Sequence, residues 1–179
     1  SILSFWFRAG SRFEPATKAG LAHLLEHLLM KRSIKFPDPI ARTKKLEGKG
    51  ILYNAFTSQD LVYFYTLQDS RNLIHGFNYL IEGVTKPFIK KESVSSEKKV
   101  VFNEIKQSTN NQITQLWNLA NKGLWPKSGL AHEPLGTSTS LKRIAPSDLF
   151  RFKKAFYGFG NLTVVLISPE SKDFEKTIR

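Results

Sequence analysis

The residues of this chain best suited to chemistry stand together as His23-Leu24-Leu25-Glu26-His27. Histidines at i and i+4 share a helix face one turn apart, which lets two imidazoles converge on one ion. Glu26, three residues after His23, lies beside that face and can reach a water held there. Leu21, Leu24, Leu25, Leu28 and Leu29 make the same segment a core helix, where three ionisable side chains are costly to bury uncompensated. A divalent cation compensates them; the alternative is a surface stripe that holds no ligand. Two histidines are half a site, so a third ligand decides between these readings. Glu104 is the candidate. It stands two helical turns beyond Glu97, on the same face, and Val100 and Val101 between them turn that face at least partly inward. Two histidines, one glutamate and an open fourth position form a catalytic zinc arrangement. Zinc there lowers a water's pKa to about 7, and Glu26 takes its proton during attack on a carbonyl, with amide hydrolysis the natural reaction.

These residues need elements to hold them. Apolar, β-rich residues 2–8 predict a strand, and residues 21–30 a helix entered past Gly20. Pro37-Asp38-Pro39 marks a break, followed by a short helix over 40–46 that stops at Gly48 and Gly50. Residues 51–56 and 61–67 read as two strands around Thr57-Ser58-Gln59-Asp60. In the second, Tyr63, Tyr65 and Leu67 alternate with Val62, Phe64 and Thr66; both faces are apolar, so the sheet is expected to be covered on both sides. Asp69 or Ser70 caps a helix whose stripe is Leu73, Phe77, Leu80, Ile81 and Val84. One long helix is expected over 95–122 with Ile105, Ile113, Leu116 and Leu119 inward, then a loop over 129–139. Pro146-Ser147-Asp148 opens another helix, closed by Gly158 and Gly160, and 161–168 is a last strand. The order predicts an α+β, two-layer fold: a mixed, mostly antiparallel sheet covered by helices.

Length and composition bound the rest. The 179 residues suit one domain, which buries roughly 70% of its unfolded surface without staples. Cysteine is absent, so disulfides, thiol nucleophiles and thiolate ligands are excluded. That fits a reducing setting, cytoplasm or organelle matrix. The longest apolar stretches, 1–7 and 162–167, fall far short of the ~20 residues of a membrane span. Ser1 opens directly on the first strand with no basic leader, which argues against a signal peptide and for a segment removed upstream. The net charge of +12 would attract nucleic acid or an acidic partner. Its lysines are scattered over several elements and framed by no nucleic-acid motif, so a solvated basic surface is the preferred reading.

His-x-x-Glu-His is the inverzincin signature, and its context resembles the pitrilysin/insulinase metallopeptidases, including the mitochondrial processing peptidases. The matching residues are 9–14 (Ala-Gly-Ser-Arg-Phe-Glu), 20–27 around the motif, Asn54-Ala55-Phe56-Thr57, the turn Pro87-Phe88, Leu135-Gly136-Thr137 and 148–157. Glu104 stands at the spacing from His27 that the resemblance implies. The resemblance implies His23, His27 and Glu104 as zinc ligands, Glu26 as general base and Glu97 as a carboxylate orienting a ligand histidine. Asn54, Ala55, Phe56 and Thr57 would line the cleft, where an extended peptide adds as a strand to the sheet edge. Phe56 is nevertheless expected to pack in the core, as strand aromatics do. His75 and His132 are not expected to be ligands.

The resemblance makes residues 1–179 a single zinc-endopeptidase domain acting on short unstructured peptides. The family pairs two similar domains into a chamber; the second half, and a strand pair ahead of Ile2, are missing from this sequence. The alternative is therefore a zinc-bearing subunit or fragment, silent until it meets a homologous half or self-associates. S-ribosylhomocysteine lyase also carries a His-x-x-Glu-His helix, but its chemistry needs a cysteine that this chain lacks.

Overall fold

The structure, a computed structural model, describes residues 1–169 and Phe174. Four strands, β1 (Ile2–Phe7), β2 (Leu52–Thr57), β3 (Val62–Leu67) and β4 (Leu162–Ile167), form one sheet in the order β2-β3-β1-β4, every pair antiparallel. The hairpin register sets Thr57 opposite Val62 and Asn54 opposite Tyr65, and β1 sets Phe5 opposite Phe64. Because side chains alternate across a strand, Leu3, Phe5, Phe7, Val62, Phe64 and Thr66 share one face and are all buried.

Seven helices complete the described fold: α1 (Leu21–Lys31), α2 (Pro39–Glu47), α3 (Leu73–Thr85), α4 (Lys91–Thr109), α5 (Gln112–Leu124), α6 (Ser138–Arg143) and α7 (Pro146–Phe156). Helices α1 and α3 lie on the buried face. Phe77 of α3 meets Phe5 edge-on at 5.7 Å, and Gly76 passes so close to the sheet that a Cβ there would stand 2.7 Å from Thr66 Oγ1. Leu21, Leu24, Leu25, Leu28 and Leu29 of α1 are buried, as their spacing requires. Most elements fall where the sequence places them, and Asp69 accepts the Arg71 N–H ahead of α3.

Among the described residues only one face of the sheet is covered. The opposite face carries Phe56, Tyr63, Trp6 and Tyr65, with Ile2, Leu67 and Ile167 along one end. Trp6 stacks on Tyr63 at 4.3 Å and Phe56 leans on the same ring at 5.6 Å. Phe56 is 52% exposed and Ile167 65% exposed. Phe56 is thus outside the core, because β2 turns it to the uncovered side.

The long helix expected over 95–122 is two helices. Ser108, Thr109, Asn110 and Asn111 compete for backbone hydrogen bonds in this run, and the Asn111 carboxamide accepts the Thr114 N–H to start α5 afresh. The bend takes α5 off the core: Ile113, Leu116 and Leu119, expected inward, are exposed, and Trp117 is 66% exposed. Within the region read as a loop, Thr137 and Ser140 exchange capping hydrogen bonds that open α6. Among the described residues no helix is long and apolar enough to cross a membrane.

Candidate metal centre

Helix α1 is held at its first turn by the chain on both sides of it. Gly20 precedes it with φ +90°, and a Cβ there would meet the Leu135 carbonyl oxygen at 2.6 Å. Gly136 returns the constraint against Ala19. The first helical N–H groups lack intrahelical acceptors. The buried Glu14 carboxylate supplies them, accepting from Gly20 N at 2.8 Å and Ala22 N at 2.6 Å. Burial pushes the Glu14 carboxyl up to about 8 against these donors.

With its leucines turned to the core, α1 presents His23, Glu26 and His27 toward α4 and β2. Their rings lie 4.7 Å apart. Helix α4 packs Val94, Glu97 and Val101 inward, which brings the next exposed turn over the histidines. Glu104 Oε2 lies 3.7 Å from His23 Nε2 and 3.5 Å from His27 Nε2. One ligand atom from each of the three falls within 4.8 Å of the others.

Those separations are long for hydrogen bonds but match the edges of a tetrahedron. Bonds of about 2.0–2.1 Å to one ion put neighbouring donor atoms about 3.4 Å apart. The donor set of two imidazoles and a carboxylate suits a borderline cation such as Zn2+. His27 turns its other nitrogen away: Nδ1 lies 3.3 Å from Glu97 Oε2, and the same oxygen accepts from Lys31 Nζ at 2.7 Å. The Glu97 contact sets the imidazole's rotation and leaves Nε2 for an ion. His23 Nδ1 is buried without a hydrogen-bond partner among the described residues.

Electrostatics divides the histidines. Burial, then the neighbouring His27, lowers His23 to about 4. Burial would lower His27 as well, but the close carboxylates of Glu104 and Glu97 prevail and raise it to about 9. The proton on His27 stands in for the positive charge that the two carboxylates demand. Both carboxyls sit below their ordinary range: burial opposes this, and the His27 contact outweighs it, with Lys31 adding to the effect at Glu97. Glu26, by contrast, is raised by burial, and the Thr57 hydroxyl that donates to its Oε2 at 2.6 Å only partly offsets this.

His23, Glu26 and His27 of α1 thus meet Glu97 and Glu104 of α4 where the two helices cross. Of the residues expected to line a cleft, Thr57 is buried against Glu26, Ala55 is partly buried, and Asn54 and Phe56 stand on the uncovered face. His75 is exposed, and His132 Nδ1 lies 3.2 Å from the Ser11 carbonyl oxygen, so neither joins the centre. Sequence reasoning did not anticipate the Thr57–Glu26 bond, the Lys31–Glu97 pair or the Glu14 cap. The acid at position 14 just ahead of Gly20 was the one available signal, as acceptors gather at helix starts.

His23, Glu26 and His27 on α1 stand in the inverted zinc-motif order, His-x-x-Glu-His. The chain belongs to the insulinase family of metallopeptidases, peptidase family M16, whose model matches residues 1–137. Among its relatives, mitochondrial-processing peptidase subunit beta of Homo sapiens is 23% identical over 155 residues, covering 87% of this chain and 32% of that protein. An uncharacterized zinc protease of Rickettsia felis is 24% identical over 156 residues, covering 87% and 37%. Cytochrome b-c1 complex subunit 1 of Bos taurus is 22% identical over 152 residues, covering 85% and 32%. The chain therefore spans about a third of the length of these curated relatives.

Solved structures show the same fold. A protease from Helicobacter pylori matches with a TM-score of 0.87 at 24% identity, covering 98% of this chain and 43% of that one. Pitrilysin matches with a TM-score of 0.83 at 20% identity, covering 93% and 18%. The family and the zinc protease relative support Zn2+ as the ion.

Proposed function

We propose that this chain is the zinc-bearing domain of an M16 endopeptidase that hydrolyses short unstructured peptides. The observation that carries the reading is the convergence of His23, His27 and Glu104 within 4.8 Å, beside a buried carboxylate, Glu26, whose one oxygen is pinned. In this reading His23, His27 and Glu104 hold Zn2+, and Glu97 orients His27. When bound, the ion supplies Lewis acidity toward water and a peptide carbonyl.

The chain's own residues do the rest. Thr57 occupies Glu26 Oε2, so Oε1 is the oxygen placed to take a proton from the attacking water and pass it to the leaving amine. Burial of Glu26 raises its basicity for that exchange. Among the described residues strand β2 is an edge of the sheet, with β3 on one side only, so its outer backbone groups offer an extended peptide a strand to pair with. Asn54 and Phe56 then flank the peptide from the uncovered side, with Ala55 on the other.

Cleavage of a quenched unstructured peptide by the zinc-loaded chain, beside its Glu26→Gln variant, tests the reading. Turnover present in the parent and lost in the variant is the expected result. Turnover unchanged by Glu26→Gln would overturn the assignment of the base.

The uncovered sheet face and exposed α5 favour a second reading: residues 1–179 as one half of a two-part enzyme, silent until a homologous half or a second copy joins it. Subunit names among the relatives support it. Misplacement of the scissile bond removes about 7–11 kcal/mol of positioning, so this reading expects zinc bound without turnover in the half alone. Their mitochondrial names also support an organelle-matrix setting.

A further inference from the structure

Helices α2 and α3, with residues 35–36, line a cavity of about 520 Å³, a size that holds a small molecule. Among the described residues its wall carries Lys35, Lys45, Lys49, Lys86 and Arg42 against one carboxylate, Glu82. That carboxylate is engaged already: Glu82 Oε1 accepts the Ser33 hydroxyl at 2.6 Å. Among the described residues none of the four lysines makes an ion pair. Elsewhere, by contrast, Lys18 pairs with Asp148 and Lys31 with Glu97.

Arg42 shows that the charge here is built in rather than scattered. It is 3% exposed, and among the described residues no carboxylate pairs with it directly; Glu82 acts on it only from a longer distance. Its Nη1 donates to the Leu29 and Met30 carbonyls, its Nη2 to the Tyr79 carbonyl, and the guanidinium lies 4.2 Å from the Tyr79 ring. Its Nε is buried and unpartnered. Carbonyl dipoles and a ring face hold this cation in place without cancelling it. Like charges gathered on a concave wall focus a positive potential into it, and Lys45 Nζ, 4.6 Å above the Phe36 ring, adds a cation over an aromatic face at the rim.

We infer that the α2–α3 cavity binds an oligophosphate-bearing small molecule. Several cations approaching from different elements match a ligand with charge spread along a chain of phosphates better than a single monoanion. Inorganic oligophosphate and a nucleoside triphosphate share that chemistry.

Titration calorimetry at about 0.15 M salt, where long-range attraction is screened beyond ~8 Å, tests the site with tripolyphosphate and with ATP as probes. Saturable one-to-one binding is expected. The Lys45→Glu/Lys86→Glu variant should weaken it at least about tenfold, and Lys122→Glu/Lys127→Glu, an equal charge change on exposed lysines near α5, by less than about threefold. Equal losses in the two variants, or no saturable binding of either probe to the parent, would overturn the site. With the site upheld, ATP binding tighter than tripolyphosphate identifies a nucleotide ligand, and equal or weaker ATP binding identifies the bare phosphate chain.

Discussion

Thr57, the last residue of edge strand β2, donates its hydroxyl to Glu26 Oε2 across 2.6 Å and so ties the sheet edge to the middle of α1. One bond fixes the separation between the strand proposed to hold the peptide and the carboxylate proposed to move its proton. It also holds one carboxylate oxygen, leaving the other for proton transfer.

Thr57→Val keeps the shape of the side chain and removes that bond. Loss of a hydrogen bond to a charged group costs about 1.5–3 kcal/mol, so kcat/KM should fall roughly tenfold or more with zinc content unchanged. The hydroxyl lowers the Glu26 carboxyl against burial. Without it the carboxyl rises further, and the acid limb of the pH–rate profile moves to higher pH. Thr57→Ser should restore both. A profile that does not move would remove Thr57 from the positioning of Glu26.

Glu26→Gln should retain zinc and lose about 10²–10⁴-fold in turnover. His23→Ala and Glu104→Ala should lose zinc as well as turnover. Metal analysis after dialysis separates the two classes, and zinc retained at full stoichiometry in His23→Ala would refute its place as a ligand.

Zinc binding should depend on pH through His27. Its metal-free pKa of about 9, against an ordinary 6.5, means that it is protonated at neutral pH, and a ligand nitrogen must give that proton up. The protonated form stabilises the metal-free chain fully below pH 6.5, and this contribution is lost as pH rises through about 9. Zinc affinity should therefore climb about tenfold per pH unit up to about 9 and level off above it. Calorimetry in buffers of different ionisation enthalpy should find about one proton released per zinc at pH 7; none released would contradict the His27 assignment.

Glu14→Ala strips two buried backbone donors of their acceptor at the start of α1. Urea unfolding should show a loss of about 1–3 kcal/mol. Burial raises the Glu14 carboxyl from 4.5 to about 8, so the folded state binds its proton more tightly than the unfolded chain does. That contribution is full below pH 4.5 and declines as pH rises toward 8. Comparison with Glu14→Gln, which cannot ionise, should isolate that slope.

The open end of the sheet should make the chain associate. Ile2 stands opposite both Leu67 and Ile167, so three exposed aliphatic side chains form a continuous strip. Light scattering should show a mass that rises with concentration, reversed by Leu67→Lys/Ile167→Lys. Monomer throughout would remove the self-association branch of the second reading.

What the sequence determined by itself was local and periodic. The i, i+4 spacing of His23 and His27 and the two-turn spacing of Glu97 and Glu104 are properties of a helix, and the leucines between the histidines say which side faces inward. Alternation in β3 likewise separates Val62, Phe64 and Thr66 from Tyr63, Tyr65 and Leu67. Periodicity assigns residues to faces but does not say what lies against a face. Both sides of β3 are apolar, and only the packing of α1 and α3 shows which one is buried. The apolar stripe of α5 read as core for the same reason, until the Asn110–Asn111 bend carried it outward. Contacts between residues far apart in the chain, Thr57 with Glu26, Lys31 with Glu97 and Arg42 with the carbonyls that end α1, depend on where whole elements cross. No local spacing encodes such crossings, so they belong to the tertiary structure alone.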